Sequence, residues 1–300
     1  MLNTEIKHAL NDINFPIAVQ DIDGVPNDQY RKIVRTDSDT FLGMCKTRYK
    51  PINHMDAFGG AIANIINAGL NIDPKDIKVE SYEHGAMAKM EFIIPDQTVV
   101  IGDHELTLKY IARNSYNGRW KFQSFFGWLN KVCFNTLVSG RQLAYTANRH
   151  TKLFDIEASN QKIFNAVEAV TDETKNYTDW WYKRVDDDDV ADMFKKTICK
   201  KETNISKYVS EDNETNKKRL SQLMDLYDAE RRQIHGKGDY TNGYVKGSLW
   251  CAFQSATYWS THIDATMKKD DYKKHIIQQK REAEVRNMIS SKSWKQLEEA

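Results

Sequence analysis

Polar and apolar residues alternate from Tyr30 to Thr36, and a second strand begins at Phe41-Leu42-Gly43-Met44-Cys45. Asp37-Ser38-Asp39 between them supplies a turn, so a hairpin is the expected join. The period then lengthens. Asn53 caps a helix over Ala57–Ala68, with Ile62, Ile65 and Ile66 on one face and Gly69 as its stop. Period two returns at Ile77–Tyr82, and His84-Gly85 turns the chain into a strand over Ala86–Ile94, which Pro95-Asp96 breaks. Glu105–Asn114 follows, with Leu106, Leu108, Tyr110 and Ala112 on one face and Thr107, Lys109, Ile111 and Arg113 on the other. Asn117-Gly118 marks a tight turn into a returning strand over Arg119–Phe126. Gly127–Ala147 reads as a helix with Leu129, Val132, Cys133, Thr136 and Leu137 on its apolar stripe.

Beyond Phe154 the pattern is helical and charged. Ile156–Val170 fits an amphipathic helix, and Thr171-Asp172-Glu173 starts another. Asp186–Asp189 reads as a solvated, capping turn ahead of a helix over Val190–Thr197 rather than a cation site, because four consecutive carboxylates point in different directions. A polar loop over Lys200–Thr215 leads to a helix over Lys217–Ala229 and a glycine-rich basic connection over Arg231–Tyr240. Gly247–Ile263 is a helix whose Trp250, Phe253, Tyr258 and Trp259 belong to a core, and Asp270–Ala300 is a charged helical tail. The fold class is therefore α+β: an antiparallel sheet of three to four strands packed by helices, then a mainly helical half. The expected division is residues 1–155 and 156–300.

Charge sharpens this picture locally. The 300 residues carry 43 Lys+Arg against 42 Asp+Glu, so bulk electrostatics favours no partner. Yet Lys109–Phe154 holds no Asp or Glu, while aromatic residues interleave with its cations. Such a surface suits a phosphate chain with stacked bases. Lys109, Arg113, Arg119, Lys121, Lys131, Arg141 and Arg149, with His150, are the candidate DNA contacts. One or two of Tyr116, Trp120 and Phe122 are expected to be exposed for stacking. The strand pattern would put Arg119 and Lys121 on one sheet face and Trp120 and Phe122 on the other.

Catalytic signatures do not emerge. Neither GxSxG, HExxH nor GxxxxGK[ST] occurs, the eight His are dispersed, and no catalytic residue, metal site or cofactor is assigned. Cys45, Cys133, Cys199 and Cys251 are scattered without zinc-site spacing, which fits reduced thiols in a cytosolic compartment; Cys133 reads as a buried small residue. No apolar run approaches a membrane span, and the N-terminus lacks a secretory pattern, so a cytoplasmic protein is expected.

A family resemblance enters through particular residues. Tyr30–Arg35, Leu42-Gly43, Tyr49–Asn53 with Phe58, Val132–Leu137 and Arg149-His150-Thr151 resemble the phage/plasmid-like proteins described as domain of unknown function 932. Gly247–Tyr258 with His262 resembles that family's C-terminal motif. The likeness spans about residues 30–264; Phe134 and Ser255 depart from its usual pattern. It implies a phage, prophage or plasmid setting in a bacterial cell. A helix, an antiparallel sheet and a closing helix are also similar to the core of Rad52-type single-strand annealing proteins, which form rings or arcs around a basic groove. The expected function is thus cofactor-free annealing of single-stranded DNA in recombination by a homo-oligomer. The alternatives are an inhibitor of a host defence or repair enzyme, with Asp186–Asp189 mimicking DNA phosphate, and a metal-dependent nuclease.

Overall fold

The computed structural model describes residues 2–26, 29–130, 135–138, 145–148, 172–199, 214–235, 245–262 and 271–300. The chain is α+β; among the described residues the strands lie before residue 150 and most of the helical residues after 170. It divides into two compact units, each assembled from several segments. The first takes residues 1–98, 107–127 and 141–171; the second takes 99–106, 128–140 and 172–300.

The first unit begins with α1 (Thr4–Ala9), capped where Asn3 Oδ1 accepts the Ile6 N–H at 2.8 Å. Strands β1 (Ile17–Gln20), β2 (Tyr30–Arg35) and β3 (Thr40–Lys46) form an antiparallel sheet in that order, including the expected hairpin. Asp39 turns it at φ 48°, and Arg35 clamps the turn through bonds of 2.7 and 3.0 Å to Asp37. Register shifts after Ile33, which pairs with Gly43, to Val34, which pairs with Phe41. Leu42 is the extra residue of this bulge, and its side chain joins Phe15, Ile33, Cys45, Ala86 and Tyr116 in a buried cluster.

Helix α2 (His54–Asn67) starts at Asn53, whose Oδ1 accepts the Met55 N–H at 2.9 Å, and stops at Gly69, where φ is +80°. Both signals stand where the sequence places them. Its first residue, fully buried, anchors the helix to the strands: His54 Nε2 lies 3.0 Å from Gly85 O, its Nδ1 2.9 Å from Asn114 Nδ2, and its N–H donates to Tyr116 Oη at 3.0 Å.

A second sheet has the order β4-β5-β6-β7-β8, with β9 also pairing β7. Its strands are β4 (Lys78–Tyr82), β5 (Met87–Ile101), β6 (His104–Ser115), β7 (Phe122–Asn130), β8 (Asn135–Val138) and β9 (Tyr145–Asn148). Pro95 does not break β5. The β4 ladder ends at the Lys78–Glu91 pair, so a residue without an N–H is tolerated further along, where Pro95 is exposed. The expected helix over Gly127–Ala147 is also absent: β7 continues to Asn130, and β8 and β9 follow. Seven of the nine β7 residues from Phe122 to Asn130 are buried, and Phe126 and Trp128 are 1% exposed. A strand covered on both faces loses its alternation and imitates a buried helix.

In the second unit, helical residues 172–182 form α3, as the Thr171-Asp172-Glu173 start predicts. Helix α4 (Asp187–Thr197) ends where expected but starts three residues ahead of Val190, so that Asp187–Asp189 form its first turn instead of a turn before it. Then come α5 (Glu214–His235), α6 (Leu249–Thr261), α7 (Asp271–Ile289) and α8 (Lys292–Glu299). Helix α5 runs six residues past the predicted end at Ala229, and the single expected tail is two helices, parted at Ser290-Ser291. Helix α6 is core: Trp250 and Phe253 are fully buried, and Tyr177, Trp180 and Phe253 pack at centroid distances of 5.0–5.5 Å. The expected helix over Ile156–Val170 and most of the expected loop over Lys200–Thr215 lie outside the described residues.

Candidate nucleic-acid interface

The predicted cationic face of β6 and β7 is not built as an open surface. Lys109 lies 3.2 Å from Glu91, which also binds Lys89 at 2.8 Å, and all three side chains are largely buried. Burial works against the Glu91 carboxylate, but Lys89 and Lys109 hold its pKa below the ordinary value. Burial also lowers the Lys109 pKa, with Lys89 beside it, despite the attraction of Glu91. The acid-free run from Lys109 is thus neutralised by a different strand. Arg113 is 1% exposed, with its guanidinium 5.5 Å from the Phe125 ring centroid.

The aromatic residues expected to stack on bases are inside as well. Tyr116 and Phe122 are fully buried and Trp120 is 3% exposed. Trp120 and Ser115 exchange two bonds, of 2.9 and 3.0 Å, that close the β6–β7 turn from within. Arg119 and Lys121 do reach the surface, Arg119 paired with Glu83. The predicted positions Lys131, Arg141, Arg149 and His150 lie outside the described residues.

A second surface in the same unit combines the sought properties. Directly opposed residues in an antiparallel pair share a face, as do alternate residues along a strand. The pairs Tyr30–Lys46, Lys32–Met44 and Val34–Phe41 therefore lie on one side of the β1–β3 sheet, with Gln20 opposite Lys32 and Ala18 opposite Val34. Ile33 and Cys45 point the other way, into the buried cluster. On the outer side Tyr30 is 41%, Phe41 57% and Met44 60% exposed.

Charge distinguishes this face. The three strands contain no Asp or Glu. Arg31 and Arg35 are answered by Asp21 and Asp37, at 3.4 and 2.7 Å. Lys32 and Lys46 have no carboxylate at ion-pair distance among the described residues, and Lys46 Nζ lies 6.0 Å from the Tyr30 ring centroid. Arg48 and Lys50 extend the basic sequence just beyond β3. The turn before Arg119 abuts β3: a Cβ on Gly43 would fall 2.7 Å from Asn117 Cα. Tyr49 fixes that junction by donating to Ser115 O at 2.7 Å.

This arrangement can hold an anionic chain and offer it two aromatic rings. Its sequence signal lies in two short strands that hold Arg31, Lys32, Arg35 and Lys46 and no acid.

Other candidate chemistry does not assemble. Among the described residues no group of three or more His, Cys, Asp or Glu is arranged to hold a metal. Asp186 pairs with Lys246 at 2.6 Å and Asp187–Asp189 occupy the first turn of α4. Cys45, Cys199 and Cys251 are buried free thiols; burial pushes all three pKa values up, that of Cys199 to about 11, opposite to the shift a nucleophilic thiolate needs. Cys133 lies outside the described residues. No helix among the described residues is long and apolar enough to cross a membrane.

Neither a curated protein nor a solved structure matches the chain. A family model does, over residues 42–283, beginning inside β3 and ending inside α7. The chain belongs to the family described as a domain of unknown function, DUF932.

Proposed function

We propose that this chain is a phage- or plasmid-borne recombination protein that binds single-stranded DNA and promotes its annealing without a cofactor. The observation that carries the reading is the outer face of the β1–β3 sheet. There Lys32 and Lys46 have no acidic partner among the described residues and stand beside exposed Tyr30, Phe41 and Met44. Phosphate contact supplies the sequence-independent part of such binding, and cations without a carboxylate partner supply it best. Arg119 and Lys121, both exposed, retain their proposed role. Lys109 and Arg113 act instead within the protein. Assembly of several copies into a ring or arc would join these faces along one strand.

Fluorescence anisotropy with labelled single- and double-stranded oligonucleotides, repeated across a salt series, tests the proposal. The expected result is preferential single-strand binding that weakens as salt rises. Replacing Lys32 and Lys46 by alanine together should flatten the log–log salt slope by roughly 1.4, at about 0.7 per lost phosphate contact. No binding to either oligonucleotide at low salt sinks the proposal and favours a protein partner, such as a host defence enzyme, at the apolar part of the face.

A further inference from the structure

The outer face of the β1–β3 sheet contains more apolar surface than phosphate binding uses. We infer that it engages the bases themselves: Tyr30 and Phe41 each stack on one base of a single DNA strand, while Lys32 and Lys46 hold the neighbouring phosphates. This deepens the proposed function and rests on it.

Spacing supports separate stacking sites. Phe41 stands opposite Val34, four residues along β2 from Tyr30. At a rise of about 3.3 Å per residue the two side chains are roughly 13 Å apart along the strands, too far to share one base. The Lys32–Met44 pair lies between them. The face therefore runs ring, cation with thioether, ring, and Lys46 stands beside Tyr30 at the first ring. Neither ring is committed to the core: both are exposed, and the apolar Val34 stands beside Phe41 as its cross-strand partner.

The occupant follows from charge and shape together. The absence of carboxylates from all three strands suits a polyanion and disfavours a basic partner. A duplex keeps its base faces inside its own stack and would set phosphate and sugar against Phe41 and Met44. A single strand offers both phosphates and open base faces. Stacking occupies the flat face of a base and leaves its pairing edge free, so a strand held this way can still meet a complement.

The test compares oligo-dT with an abasic oligomer of equal length and charge, on the wild-type protein and on Phe41→Ala, Tyr30→Ala and Phe41→Trp. Oligo-dT should bind roughly tenfold more tightly than the abasic oligomer. Phe41→Ala and Tyr30→Ala should each lose roughly tenfold on oligo-dT, with an unchanged salt slope and little effect on the abasic oligomer. Phe41→Trp should retain binding and show tryptophan quenching when oligo-dT is added. Both aromatic positions are exposed, so an unchanged unfolding midpoint separates lost contact from lost fold. If the abasic oligomer binds as tightly as oligo-dT, base stacking is overturned while single-strand binding stands. If neither binds, the functional proposal fails with it.

Discussion

Glu230 lies on α5 with 8% of its surface exposed, and its Oε2 has no hydrogen-bond partner among the described residues. Burial pushes its carboxyl pKa from an ordinary 4.5 up to about 7. Between those values the folded chain holds a proton that the unfolded chain has released. The contribution to stability is thus complete below pH 4.5, declines as pH rises, and is lost above about 7. Glu230→Gln removes this dependence. It should stabilise the protein at pH 8 by about 3 kcal/mol relative to its effect at pH 4, measured by urea unfolding at both values. Equal effects at the two pH values would show that the carboxyl does not titrate in this way.

At the scale of elements, the β5–β6 hairpin depends on one residue. Gly102 turns it at φ +56°, and a Cβ there would lie 2.0 Å from Trp181 Cζ2. Gly102→Ala combines an unfavourable backbone conformation with a clash against a rigid ring, and should cost about 3 kcal/mol in urea unfolding. A loss below about 1 kcal/mol would mean that Trp181 yields freely. Elements with local punctuation were legible in the sequence: the hairpin at Asp37–Asp39 and α2 between Asn53 and Gly69. Elements whose identity depends on distant partners were not. The apolar residues after Gly127 satisfy a helical period, but pairing with β7 makes Tyr145–Asn148 a strand. Pro95 reads as a stop until it is known that β4 has already left β5. The candidate site failed for a related reason. Lys109 has no acidic neighbour in sequence, and Glu91 reaches it only because strands β5 and β6 adjoin.

Across the whole molecule, a net charge of +1 conceals an uneven distribution, in which the β1–β3 strands carry cations and no acid. The core behind those strands also constrains how the chain folds. Phe15, Ile33, Leu42 and Cys45 share their buried cluster with Ala86 and Tyr116, and Gly85 fits so closely against Phe15 that a Cβ there would lie 2.6 Å from its Cζ. The first sheet is early in the chain, yet its inner side is completed by residues about a hundred positions from the start of that cluster, and closing such long loops slows folding. A chain truncated after residue 110 lacks Tyr116 and should leave the β1–β3 amides unprotected in hydrogen exchange; native-like protection in that fragment would contradict this dependence. On the ribosome, the proposed DNA-binding face therefore emerges well before it can become firm. Its exposed Phe41 and Met44 must wait, beside a still open core, for the end of β6 to arrive.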